Sequence, residues 1–227
     1  MKNFNFSLFL SLFFLIILLQ ESVDAKRINK KVDEQGVDMP KVRIASFKGD
    51  KACAISYTFD DALRDQSILA APMLEKYGFR GTFWAIPSMV PETEEILTNS
   101  KKKWGGITWK RLKGMSDNGH EISNHGWSHK NLVNLKSEQE IRAEIEKADS
   151  LILLKIGKKP RTFCYPYNAF NDQVLAIAME NRVDTRTRCS GWGYRTTTQW
   201  MNNWADGLIK KGEWGIPMIH AIIDGFD

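Results

Sequence analysis

Residues 120–157 read HEISNHGWSHKNLVNLKSEQEIRAEIEKADSLILLKIG. The stretch opens on a short apolar run, 120–125, that reads as a strand, crosses a polar loop carrying two histidines, and ends in a helix expected over 137–155. Ser137 followed by Glu140 forms a capping box, which satisfies the first free N–H groups of a helix. Ile141, Ile145, Ala148 and Ile152 then recur on one face, and Gly157 supplies the left-handed stop. A strand followed by a helix of crossover length predicts a parallel neighbour, because an antiparallel one needs only a tight turn.

The same unit repeats on both sides. Apolar runs at 53–59, 81–86, 162–167, 182–189 and 216–223 read as further strands, and 65–77, 108–117, 171–181 and 197–211 as helices. Such alternation implies an α/β sheet or barrel. Functional groups in such folds gather in loops at the carboxyl ends of the strands.

The first 25 residues stand apart. Lys2 precedes an almost unbroken apolar run from Phe6 to Leu19, and small residues ending at Ala25 follow. That is the order of a signal peptide, or, with Lys26, Arg27, Lys30 and Lys31 following, of an uncleaved anchor; either places the catalytic part outside the cytoplasm, secreted or in the periplasm or cell envelope. Residues 26–47 are polar and charged and read as a linker or extended lead-in, and 48–227 as one domain with a full core. The net charge of +5 is mild and its basic residues are scattered, which argues against nucleic acid as a partner. Three cysteines exclude a small disulfide scaffold. Cys53 and Cys164 sit in apolar runs as small buried residues, and a single bridge would have to involve Cys189.

Chemistry concentrates at three strand ends. The run 53–59 ends in Asp60-Asp61, two adjacent carboxylates where the chain leaves the sheet, although an Asp there can also cap the following helix. The run 120–125 ends in His125-Gly126-Trp127-Ser128-His129. Histidines four apart can converge on one ion, or be buried with ordinary hydrogen bonds. His220 lies in the last run, and His120, at the start of its strand, reads as structural. Two imidazoles and a carboxylate with open positions are the donor set of a catalytic metal site rather than a closed structural one.

At this point the sequence resembles the polysaccharide deacetylases of carbohydrate esterase family four. Thr58-Phe59-Asp60-Asp61, Gly81-Thr82-Phe83-Trp84, His125-Gly126-Trp127-Ser128-His129, Thr162-Phe163-Cys164-Tyr165-Pro166-Tyr167 and Ile219-His220-Ala221-Ile222 carry the resemblance, in family order. It implies a distorted (β/α) barrel with fewer than eight strands. It also implies roles: Asp60 as general base, Asp61, His125 and His129 as metal ligands, His220 as the acid, and the Tyr167 backbone N–H as oxyanion donor. The implied cofactor is one divalent ion, Zn²⁺ first, with Co²⁺, Ni²⁺ or Mn²⁺ as alternatives. The implied partner is an acetylated glycan or amino sugar, with no protein partner.

Trp192 and Tyr167 are expected to contact substrate, with Trp127 and Tyr194 as further aromatic candidates for a sugar groove. Two departures stand out. Cys164 occupies the place of the family's usual arginine and Asn168 that of a glycine, and the region 190–195 lacks the usual acidic residue. Either no arginine supports Asp60, or Arg188 or Arg195 supplies the charge. A barrel of this kind closes with a further helix, so with few residues after His220 the expectation is either a C-terminally incomplete domain or a short natural form. The function implied is removal of N- or O-acetyl groups from an extracellular glycan. Alternatives are a small-amide deacylase on the same fold or a sugar-binding protein without turnover.

Overall fold

The computed structural model describes residues 44–93, 106–193 and 195–222. The leader expected over 1–25, nearly all of the lead-in and Tyr194 lie outside the described residues.

The strands are β1 (Ala54–Ile55), β2 (Thr58–Phe59), β3 (Thr82–Ala85), β4 (Glu121–Asn124), β5 (Thr162–Cys164), β6 (Asp184–Arg186), β7 (Ser190–Trp192), β8 (Trp214–Gly215) and β9 (Pro217–Ile219). Seven of them form one sheet in the order β6-β5-β4-β3-β2-β9-β7, every pair parallel. From β2 to β6 each strand takes the next place in the sheet, and β9 and β7 flank β2 on its other side. That single winding is the progression of a barrel, whereas a doubly wound sheet reverses at its centre. The edge strands β6 and β7 are separated by only residues 187–189, too few for a crossover helix, so the circuit stays open there. Curling is nevertheless strong: Arg186, at the end of β6, touches Asp60 beside β2 across three intervening strands. The fold is thus the expected distorted (β/α) barrel with fewer than eight strands.

The run 53–59 divides into β1, which pairs with β8, and β2, which pairs with β9. Ile55 faces Gly215 and Thr58 faces Met218, so the register is the same on both sides of the break. Pro217 explains the interruption, since it has no N–H to give the ladder and is tolerated at the first residue of a strand. Strands β7 and β8 are additions to the sequence reading. The run 162–167 ends early because Pro166 turns the chain into a short 3₁₀ segment, Pro166–Asn168.

The helices fall where the periodicity predicts them. A π-helical turn, Gln66–Ala70, leads into α1 (Ala71–Lys76). Then come α2 (Trp109–Asp117), α3 (Glu138–Ile156), α4 (Asp172–Met179) and α5 (Thr198–Lys211). Ser137 Oγ accepts the Glu140 N–H at 3.2 Å, and Gly157 closes α3 with a φ of 77°. The buried face of α3 carries Ile141, Ile145, Ala148, Ile152 and Ile156. The four isoleucines join two apolar clusters, Ile152 and Ile156 the one around Phe59, Phe83 and Leu112, Ile141 and Ile145 the one around Phe163, Tyr165 and Val174. His120 is structural: Nδ1 accepts the Gly81 N–H and Nε2 faces Glu75. No helix among the described residues is long and apolar enough to cross a membrane.

Helix α5 packs directly on Gly215, where an added Cβ would stand 2.3 Å from Trp204 Cη2 and 2.4 Å from Leu208 Cδ1. Gly215→Ala should therefore lower stability by about 1–3 kcal/mol, the usual cost of overpacking. A urea midpoint equal to that of the unmodified chain would contradict the packing of α5 on β8.

Candidate active site

Parallel pairing in register brings four strand ends to one level. Asp60 and Asp61 follow β2, His125 follows β4, Tyr165 to Asn168 follow β5, and His220 follows β9. The ladder itself fixes two of them, as the Asp60 N–H donates to the Ile219 carbonyl at 2.9 Å and the His125 N–H to that of Ala85 at 3.0 Å. Gln66, fully buried in the π-helical turn, donates from Nε2 to the Asp60 carbonyl at 2.6 Å and to the His220 carbonyl at 2.7 Å. One amide thus ties together two loops 160 residues apart in sequence. Tyr165, Tyr167, Asn168 and Met218 complete the walls of a cavity of about 330 Å³ over these groups.

The loop after β4 is held just as closely. Asn124, wholly buried, donates to the Ile145 carbonyl and to Asp149, and its Oδ1 accepts the Gly126 N–H at 2.7 Å. Buried Glu144 of α3 accepts from both the N–H and the hydroxyl of Ser128 at 2.9 Å. Held this way, His129 adopts a φ of 59°. Asp61, Ala62, Tyr167 and Asn168 are left-handed too, so five of the seven non-glycine residues with positive φ among the described residues lie in the site loops. Such backbone costs on the order of 1–3 kcal/mol per residue and persists where surrounding contacts over-determine it.

Asp61 Oδ1 lies 3.5 Å from Nε2 of His125 and 3.5 Å from Nε2 of His129. The three ligand atoms are mutually within 4.8 Å. Those separations exceed a normal hydrogen bond, and Asp61 Oδ1 is buried with no hydrogen-bond partner. An orphaned buried carboxylate oxygen between two imidazole nitrogens fits a cation. His125 Nδ1 lies 2.8 Å from the Cys164 carbonyl. Donation there leaves the Nε2 lone pair for an ion, the arrangement that orients most histidine ligands. Burial works to raise the Asp61 carboxyl, but the attraction of the neighbouring His125, His129 and His220 outweighs it and holds it below its usual range. Burial, with His125 beside it, holds His129 below its ordinary value.

Asp60 is buried behind this set. Arg186 donates to both its oxygens, Nη1 to Oδ1 at 2.7 Å and Nη2 to Oδ2 at 2.5 Å. Burial opposes the guanidinium's charge, but the hydrogen bonds to Asp60 outweigh it and raise Arg186 above its ordinary value. Sequence reasoning missed this residue. Arg188 and Arg195, the candidates it offered, are exposed, and the alternative of no arginine at all is also corrected. The signal lay in register: Arg186 is the Cα partner of Cys164 on the adjacent strand, a relation invisible until β5 and β6 are paired. Cys164 is a buried thiol pushed up by its burial. All three cysteines are free, and Cys53 is only partly buried.

His220 Nε2 stands 4.0 Å from Asp60 Oδ2 and 4.0 Å from Asp61 Oδ2, with a side chain 48% exposed. Tyr167 stacks at a tilt on His129, ring centres 4.7 Å apart, and is open to solvent. Trp192 is different. Its ring packs against Tyr57, Trp200 and Trp204, because strand alternation turns it toward α5 and away from the cavity. It is not among the residues that line the cavity. Trp127 lies under the Lys147 ammonium at 3.9 Å.

Residues 48–185 match the family model described as polysaccharide deacetylase. The chain is similar to "Chitin deacetylase 1" of Cryptococcus neoformans var. grubii, 32% identical over 123 residues, which is 54% of this chain and 23% of that protein. It is also similar to "Peptidoglycan-N-acetylmuramic acid deacetylase PdaC" of Bacillus subtilis, 26% identical over 166 residues, 70% of this chain and 31% of that one. The chain thus matches less than a third of the length of either relative. Its fold is like that of the Xyl-CE4 domain of a multidomain xylanase from the hindgut metagenome of Trinervitermes trinervoides, with a TM-score of 0.57, 22% identity, and 77% and 76% of the two chains covered.

The donor geometry predicts one divalent ion per chain. His125→Ala and His129→Ala should each lose it on dialysis while Asp60→Asn keeps it. Elemental analysis showing full occupancy in both histidine variants would remove the assignment.

Proposed function

The chain belongs to the polysaccharide deacetylase family, and we propose that it is a metal-dependent hydrolase that removes acetyl groups from an extracellular glycan built on amino sugars. The observation that carries the reading is a buried, arginine-held carboxylate, Asp60, beside a three-residue donor set and opposite an exposed imidazole. The names of the two relatives, a chitin and a peptidoglycan deacetylase, support an N-acetylated polymer as the substrate class.

In this reading Asp61, His125 and His129 hold the ion, Zn²⁺ first among the candidates. When bound, such an ion acidifies a water and polarises the acyl carbonyl. Asp60 takes the proton of the attacking water, its Oδ2 reaching the cavity while Arg186 fixes the carboxylate plane. The Tyr167 N–H, on left-handed backbone at the cavity wall, donates to the developing oxyanion. His220 gives its proton to the departing amine from the opposite side. Tyr167 offers its exposed ring to a sugar face.

The family match over residues 48–185 supports a catalytic domain that begins at 48; its extension to 227, the export leader over 1–25 and the lead-in over 26–47 are part of the proposal and rest on the sequence pattern. Location outside the cytoplasm follows from that leader in the same proposal. A sugar-binding protein without turnover is disfavoured, because it would keep the Asp60–Arg186 pair buried at a desolvation cost and without use. A panel of acetylated glycans and small amides, assayed for acetate with and without chelator, separates the remaining alternatives.

Asp60→Asn should retain the ion and lose acetate release by about a hundredfold or more, the scale of general-base loss. Near-normal turnover would place the base elsewhere. His220→Ala should slow an N-acetylated sugar far more than an activated aryl acetate, since a phenolate leaves without protonation and an amine does not. Equal losses on the two substrates would strip His220 of the acid's role.

A further inference from the structure

Asp60 poses a problem that its neighbours make acute. Its carboxylate, His125 and Cys164 form a second group of possible ligands whose atoms lie mutually within 4.8 Å, sharing His125 with the first group. Asp60 Oδ2 is 4.0 Å from His125 Nε2, the nitrogen that also faces Asp61. A carboxylate able to rotate there would compete to become a fourth protein ligand, and a ligating carboxylate is a poor proton acceptor.

The guanidinium of Arg186 prevents that rotation. It forms a fork on Asp60, two parallel N–H···O bonds from one rigid plane. The fork is itself locked: Nη1 also donates to Thr58 Oγ1 at 3.1 Å, Nη2 to Asn168 Oδ1 at 3.3 Å, and the guanidinium lies 4.5 Å from the centre of the Trp84 ring. Among the described residues the other side-chain donor to Asp60 is the Cys164 thiol at 3.7 Å, a weak one. Orientation of the carboxylate therefore rests on Arg186. Because Cys164 and Arg186 are register partners on β5 and β6, one strand spacing of about 4.8 Å apart, and both side chains meet Asp60, either strand can supply the guanidinium.

We propose that Arg186 is a positioning residue that holds Asp60 out of the coordination sphere of the ion on Asp61, His125 and His129 and so keeps it free as proton acceptor, in a place that β5 and β6 can exchange. The proposal rests on the deacetylase reading above. Asn168 has a part in it, since its left-handed backbone, φ 53°, directs Oδ1 onto the same guanidinium.

The test compares the unmodified chain with Arg186→Cys, Arg186→Lys and the exchanged pair Cys164→Arg/Arg186→Cys, each loaded with Co²⁺ as a spectroscopic stand-in and assayed for acetate release. In Arg186→Cys the visible Co²⁺ bands should weaken and shift as a carboxylate joins the ion. Turnover should fall about a hundredfold, the scale of a misplaced catalytic group, with KM changed less than threefold. The exchanged pair should restore the bands of the unmodified chain and recover at least a tenth of its turnover. Arg186→Lys, which keeps the charge and loses the fork, covers the case in which Arg186→Cys does not fold, and should show the same spectral change with a smaller loss. Unchanged Co²⁺ bands in the folded variants would overturn the proposal, as would turnover within threefold of normal in Arg186→Lys or an exchanged pair no better than Arg186→Cys. An unmodified chain that binds Co²⁺ and releases no acetate from any substrate would overturn the functional reading, whereas an active chain with Arg186-independent bands overturns only this inference.

Discussion

The parallel pairing of β2 with β9 organises everything else. It joins Thr58–Phe59 to Met218–Ile219, 160 residues away, and so puts β2 in the interior of the sheet with β3 on its other side. Only then do Asp60 and Asp61 stand between the histidines after β4 and the histidine after β9. Gln66 seals this junction by accepting no ambiguity about which loops it joins: its amide is held between the two carbonyls that follow the paired strands. Contacts of such sequence separation carry a large loop-closure cost, offset here by apolar burial around Phe59, Phe83 and Leu112.

Rigidity at the site comes from buried polar groups rather than from apolar packing. Asn124, Glu144 and Asp149 each sit on or against α3 and each serve the loop after β4, so the capped helix acts as the jig for His125 and His129. Left-handed backbone at Asp61, Ala62, His129, Tyr167 and Asn168 is the visible cost of that fixation. A group held in strained backbone by satisfied hydrogen bonds does not have to reorganise when charge develops, which is the condition for electrostatic catalysis.

The Asp60–Arg186 pair is a buried ion pair whose guanidinium comes from the register partner of Cys164. Desolvating two ions is expensive unless the geometry is bidentate and the remaining donors find partners. Thr58 and Asn168 meet that requirement for the two terminal nitrogens and the Trp84 face takes the guanidinium plane, while the buried Nε has no hydrogen-bond partner. A cysteine in the neighbouring strand is then not a defect. It is a small side chain that leaves the interior of the barrel to its register partner.

Local rules in the sequence were enough for much of this. The capping box at Ser137 and Glu140, the recurrence of Ile141, Ile145 and Ile152, and the alternation of short apolar runs with helices determined a parallel α/β fold, since each depends only on residues within a few turns of one another. The ordered motifs around Asp60-Asp61, His125, His129 and His220 likewise marked which side chains to watch, because strand ends can be read from where apolar runs stop. Tertiary structure alone decided the rest. The break between β1 and β2, the extra strands β7 and β8, the turn of Trp192 toward α5 and the choice of Arg186 over Arg188 and Arg195 all depend on which strands become neighbours and in what register. A shift of one residue sends a side chain to the opposite face of a sheet, and no local pattern records which face meets Asp60.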